Sequence, residues 1–138
     1  MVTMTPARLA VRQPRRIPLC VGPRAAVEAR AQVRAAICAW DLPVDESDAV
    51  LLTSELVTNA ITHSAGETMT LVLTCDERQL RVDVHDTSPS LPAPADVPPD
   101  AEAGRGLMLV ATLAEGWGFY RTPWGKAVYF TLPFQDPC

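Results

Sequence analysis

Ser54-Glu-Leu-Val-Thr-Asn-Ala-Ile-Thr-His-Ser64 carries a carboxylate, a carboxamide and an imidazole at successive four-residue steps: Glu55, Asn59 and His63. On a helix those steps set the three on one stripe, each a little more than a turn beyond the last. Such a stripe can hold an ion, a phosphate or a reacting proton, and it can equally be the solvated face of an ordinary helix. Val50, Thr53, Val57, Ala60, Ile61 and Ser64 make an opposite stripe, small or apolar, suited to packing on a sheet. Leu51 and Leu52 fall on the side of Glu55. The helix is therefore expected to be contacted on both sides, by a sheet on one and by a ligand or covering loop on the other.

Working outward, Ser47 or Asp45 can cap this helix, and Glu46 and Asp48 suit its positive N-terminal end. Before it, Arg24 to Trp40 is rich in alanine and arginine. Ala26, Val27, Ala29 or Arg30, Val33, Ile37 and Trp40 are spaced for one apolar face. Pro23 suits the first turn of that helix. Ile17 to Val21 is a short apolar run broken by Pro18, which admits it only as an edge strand.

After the quoted stretch, Gly66 can end the helix. Thr68 to Cys75 and Leu80 to Asp86 alternate as strands, with Asp76 to Gln79 as a polar turn, which predicts an antiparallel hairpin. Leu80, Val82 and Val84 face one way; Arg81, Asp83 and His85 face the other. Residues 87–103 hold five of the 13 prolines and show no periodicity, as a functional lid or a disordered loop does. Gly104-Arg105-Gly106 leads into a helical pattern over 107–114. Trp117 to Arg121 and Lys126 to Leu132 close the chain as two strands around Thr122-Pro-Trp-Gly125. The order β-α-α-β-β-loop-α-β-β predicts a two-layer α/β sandwich: a mixed, mostly antiparallel sheet with helices on one face.

Composition agrees with one folded domain. The chain has 138 residues, 48% of them apolar and 20% charged, in the range of globular rather than disordered proteins. No apolar run approaches the roughly 20 residues of a membrane helix. The first residues lack the apolar core of a secretory signal, so a cytoplasmic location is expected. The four cysteines form no Cys-x-x-Cys pair, and with two histidines they suit free thiols better than a zinc cage. Residues 1–40 hold seven arginines against one acid, whereas the rest of the chain holds five basic and fifteen acidic residues. Residues 1–16 read as a flexible basic N-terminal arm and 17–138 as the single domain. The arm invites a nucleic-acid reading, but no aromatic residue interleaves its arginines and the acidic body would repel a phosphate backbone.

Three features carry chemistry. Asn59 offers a carbonyl oxygen to Mg2+, a hard ion that prefers oxygen ligands, and Glu55 can accept a proton from an attacking hydroxyl or water. Asp86, at the end of a strand, can accept a hydrogen bond from an exocyclic amine such as adenine's, or simply cap a turn. Gly104 and Gly106 let a backbone approach a phosphate at a helix N-terminus, with Arg105 between them.

Glu-x-x-x-Asn-Ala-x-x-His, a hairpin ending in Asp, a Pro-rich loop, Gly-Arg-Gly-Leu and a last strand after Gly-Lys together resemble the Bergerat-fold ATPases, the GHKL superfamily. That superfamily includes gyrase, the ninety-kilodalton heat-shock chaperone, histidine kinases and mismatch-repair ATPases. The chain is most similar to its compact branch, the anti-sigma-factor serine/threonine kinases, and to the small ATP-binding regulators of actinomycetes. The likeness spans about residues 17–133. It implies ATP and Mg2+ as cofactors, with Glu55 as catalytic base and Asn59 as metal ligand. It places Asp86 on the adenine amine, Gly104, Arg105 and Gly106 around the phosphates, and His63 as a phosphate or lid contact. It implies a sigma factor and an antagonist (anti-anti-sigma) protein as partners, and pairing of two copies through the N-terminal elements.

One departure stands out. The family pattern Asp-x-Gly-x-Gly reads Asp86-Thr-Ser-Pro-Ser90 here, so two flexible glycines are replaced and Pro89 stiffens the segment. Two functions are compatible with this pattern: an ATP-dependent protein kinase of the anti-sigma type, and a non-catalytic nucleotide- or protein-binding regulatory module.

Overall fold

The computed structural model describes residues 13–63, 68–87 and 113–135. Strand β1 (Arg15–Cys20) leads to helices α1 (Ala25–Trp40) and α2 (Glu46–His63); the strands β2 (Thr68–Cys75), β3 (Gln79–Asp86), β4 (Gly116–Thr122) and β5 (Gly125–Pro133) follow. The five strands form one sheet in the order β1-β2-β3-β5-β4, and α1 and α2 pack together across one face of it. The expected two-layer class is what folds. The sheet described is antiparallel at each pairing rather than mixed. The turns joining β2 to β3 and β4 to β5 are short, and short turns can join only antiparallel neighbours.

Those turns are built by side chains. Asp76 Oδ1 accepts from the N–H groups of Arg78 (2.7 Å) and Gln79 (3.0 Å), which folds β2 back as β3. Thr122 Oγ1 accepts from Gly125 N at 2.9 Å, closing the turn that joins β4 to β5. β1 sits at the edge, where Pro18 removes no hydrogen bond from a central ladder. It begins at Arg15, so two residues expected in the basic arm pair with Leu73 and Val72 of β2.

The core lies between the layers. From the sheet come Leu19, Met69, Leu71, Leu73, Leu80, Val82, Val84, Val128, Phe130 and Leu132. From α1 come Ala25, Ala29, Val33, Ala36 and Ile37; Val27, expected inside, is exposed. α2 differs more. Ala49, Leu52, Thr53, Leu56, Val57 and Ala60 are its buried stripe, the i, i+3, i+4, i+7 pattern of a single core face. Leu52 and Leu56 therefore face the sheet and not a ligand, while Val50 and Ile61 flank the stripe. Asp45, not Ser47, caps the helix, its Oδ1 accepting from Asp48 N at 2.9 Å. Thr53 is tolerated inside because its hydroxyl donates to the Ala49 carbonyl at 2.7 Å.

Gly104, Arg105, Gly106 and residues 88–103 lie outside the described residues, as does the helix expected over 107–114 save its last two positions. No helix among the described residues is long and apolar enough to cross a membrane.

Candidate functional site

α2 runs over β3 and β5, and its end is tied to β2 by residues 64–67 alone. Five peptide steps reach at most about 18 Å. The last turns of α2 are thereby held at the sheet end where β2 starts, β3 finishes at Asp86 and β5 begins at Gly125. Connectivity alone thus brings Asn59 and Asp86, 27 positions apart in sequence, to one end of the sandwich.

Asn59 sits on the flank of the core stripe and is 3% exposed. Neither its carboxamide oxygen nor its nitrogen has a hydrogen-bond partner among the described residues. A buried amide left unpaired costs about 1–3 kcal/mol, so the carboxamide is open to a partner that none of the described residues supplies. Glu55, one turn earlier, is half-buried and makes no side-chain hydrogen bond or ion pair among the described residues, leaving a carboxylate able to take a proton. The backbone of His63 continues the helix; its side chain lies outside what is described.

Asp86 ends β3 with its carboxylate on the helix side of the sheet and 4% of the residue exposed. It does not stand alone. Lys126 is its direct partner across β3 and β5; the ammonium Nζ lies 3.6 Å from Asp86 Oδ2 and both side chains are 1% exposed. Burial pulls the Lys126 pKa below its ordinary value, and the neighbouring carboxylate opposes that pull. Gly125 seats the pair. A Cβ there would collide with the Asp86 carbonyl oxygen and come within 2.6 Å of Thr87 Cα, so the backbones of β5 and β3 touch where only glycine fits.

Lys126, named in the motif only as the Lys of the Gly-Lys before the last strand, stands beside Asp86 without a role assigned by the motif reading. The signal for it exists: Lys126, Val128, Phe130 and Leu132 alternate, so the period of two that sends the apolar three inward sends the lysine inward as well.

A cleft of about 240 Å³ opens beside Asp86, lined by Arg16, Thr68, Met69, Thr70, His85, Thr87, Thr122 and Trp124 as well. It touches neither Asn59 nor Lys126 and belongs mainly to the helix-free face. On that face Asp83 is buried under its partners: Arg81 grips it through Nε at 2.8 Å and Nη2 at 3.0 Å, and Tyr120 donates its hydroxyl at 2.8 Å. Arg81 lies over the Tyr129 ring, 4.1 Å from its centroid. Burial, with the bond to Asp83, pushes the Tyr120 phenol up to about 12.

Among the described residues no three His, Cys, Asp or Glu side chains gather, so a metal at Asn59 would take most of its ligands from a bound molecule and water, as Mg2+ does. An orphaned, buried carboxamide oxygen fits that role, and a buried carboxylate at the end of a strand fits a base amine.

The family model for histidine kinase-like ATPase domains matches residues 21–132. In structure the chain is similar to the RsbU and RsbW domains of Rv1364c from Mycobacterium tuberculosis, with a TM-score of 0.65 and 20% identity. The match covers 88% of this chain and 32% of that one, so the present chain spans about a third of it. It is among 17 solved chains that match, and no curated protein does.

Proposed function

The chain belongs to the histidine kinase-like ATPase domain family, and from that premise we propose that it is an ATP- and Mg2+-dependent protein serine/threonine kinase acting as an anti-sigma-type switch. In one state it would bind a sigma factor; in another it would phosphorylate a small antagonist protein. The observation that carries the reading is the buried Asn59 carboxamide, unpartnered among the described residues, with an unengaged Glu55 one turn away. Asn59 Oδ1 would serve as a metal ligand and Asp86 would receive the adenine amine. Gly104, Arg105 and Gly106 would cradle the phosphates. Bound MgATP supplies the transferable phosphoryl group. The chain's own contribution is to orient the acceptor and to take its proton: Glu55 accepts the hydrogen of a serine or threonine hydroxyl as that oxygen attacks, then releases it to water.

The RsbW domain named in the structural neighbour is in keeping with this reading, whose sigma-factor and antagonist partners come from the resemblance to the anti-sigma-factor kinases. The test is transfer of radiolabelled γ-phosphate to a candidate antagonist, with Glu55→Ala as control. Transfer that is unchanged in that variant would remove Glu55 as base. A second reading, a nucleotide-binding module without turnover, is favoured by Ser88 and Ser90 in place of the family glycines. Calorimetry showing MgATP binding, with no transfer to any antagonist, would select it.

A further inference from the structure

We infer that the cleft on the helix-free face of the sheet is a ligand site of its own, one that takes a small aromatic carboxylate. Its lining includes none of Glu55, Asn59 and Lys126, and the inference does not depend on the nucleotide reading above.

The strands aim the lining. Arg15 and Arg16 are neighbours on β1, so their side chains leave opposite faces of the sheet. Arg15 is taken up over the Trp40 ring, 5.2 Å from its centroid. Arg16 turns to the cleft instead, exposed and with no hydrogen bond or ion pair to a described residue. Thr68 and Thr70 of β2 and His85 of β3 share its face, Thr70 directly opposite His85 in register. Thr68, Thr70 and Thr87 likewise make no side-chain hydrogen bond among the described residues. Thr122 joins them from β4. Its oxygen accepts from Gly125 N at 2.9 Å and from Trp124 N at 3.3 Å, which leaves its hydroxyl proton to give. The same two bonds pin the turn that holds Trp124 at the cleft, its indole 79% exposed. A guanidinium, an imidazole and several hydroxyls thus converge beside one flat aromatic face.

Charge and size choose the ligand. The one carboxylate in the lining, Asp86, lies on the helix side, 3.6 Å from Lys126 Nζ. Beside the cleft, Arg81 grips Asp83. Burial holds the His85 pKa below 6.5, with Asp83 and Asp86 opposing and Arg16 and Arg81 assisting, so near neutral pH the imidazole is uncharged and offers one N–H. Arg16 is therefore the only charge in the lining that is not already paired. A guanidinium fork matches the two oxygens of a carboxylate and balances its single negative charge, whereas a phosphate dianion would need a second cation. The space of about 240 Å³ falls below the roughly 300–1,000 Å³ of sites for drug-sized ligands. It suits a molecule with one ring, which the exposed indole can stack on.

Calorimetric titration of the full chain with benzoate near neutral pH tests this, with benzamide and inorganic phosphate as comparisons. Benzoate should bind with a dissociation constant of about 1 mM or tighter. Benzamide, which has the ring without the charge, and phosphate, which has the charge without the ring, should each bind at least about tenfold more weakly. Arg16→Gln changes an exposed side chain and strands no partner; it should weaken benzoate about ten- to a hundredfold. Trp124→Ala, also at an exposed position, should weaken it about two- to tenfold. Both variants should melt at the wild-type temperature. Absence of benzoate binding up to about 10 mM overturns the inference, as does an affinity unchanged in either variant, or phosphate that binds more tightly than benzoate.

Discussion

Lys126 and Asp86 form an ion pair inside the domain, directly opposed on β5 and β3 with Nζ 3.6 Å from Oδ2. Removing water from both charges is costly, and their mutual attraction offsets part of that cost. Loss of one partner should therefore hurt more than loss of both. Lys126→Met is expected to lower unfolding stability by about 3–5 kcal/mol. Asp86→Asn combined with Lys126→Met should recover much of that loss. A double-mutant cycle by urea denaturation checks it; strictly additive losses would show the pair uncoupled.

Asn59 sets stability against function. Its carboxamide is buried and has no hydrogen-bond partner among the described residues, a burden of about 1–3 kcal/mol. Asn59→Ala should leave thermal stability unchanged or raise it by up to about 2 kcal/mol, while MgATP binding measured by calorimetry is lost. Leu52→Ala, in the core stripe of the same helix, should instead cost about 2–5 kcal/mol. An Asn59→Ala chain that melts like Leu52→Ala would mean that the amide is structural.

Much of this arrangement is legible in the residues. Thr68–Cys75 has the bounds its alternation gives, because one buried face and polar turns leave little choice of register. The facing of α2 is another matter. Val50, Leu51, Leu52, Leu56, Val57 and Ile61 surround the helix almost continuously, so several apolar stripes are possible until a sheet is present to choose one. Choosing it turns Leu52 and Leu56 inward and leaves Asn59 at the flank. The Glu55-Asn59-His63 spacing invites a site reading, yet that Asn59 finds no partner among the described residues is a tertiary fact that no spacing carries. Lys126 is an intermediate case. Its inward facing follows from alternation, but a buried lysine contradicts composition rules until Asp86 is placed opposite.

His85 gives the fold an acid sensitivity. Burial holds its pKa below 6.5, Arg16 and Arg81 push the same way, and Asp83 and Asp86 oppose them. Its ring also meets Tyr120 edge-on, centroids 6.1 Å apart. A base whose pKa is depressed on folding binds its proton more readily in the unfolded chain. Stability is then full above pH 6.5 and declines as pH falls through 6.5 toward the folded value. Melting temperatures at pH 7.5 and 5.5 should fall further apart in the wild type than in His85→Gln. Equal intervals would place the acid loss on carboxylates.

Gly125 controls how the Asp86–Lys126 pair is seated. No side chain fits between the starts of β5 and the end of β3: a Cβ at Gly125 would strike the Asp86 carbonyl and stand 2.6 Å from Thr87 Cα. The obstruction is backbone, so no rotamer change relieves it, and the strands must part or the register must slip. Gly125→Ala is expected to cost about 1–3 kcal/mol or more, whereas Gly118→Ala, whose near neighbours are ring atoms of the Tyr129 side chain and not backbone, should cost less. Because the displacement falls on the residues carrying Asp86 and Lys126, nucleotide affinity should drop in Gly125→Ala even where urea titration shows the chain still folded. Affinity that survives a measured loss of stability would detach the pair from base binding.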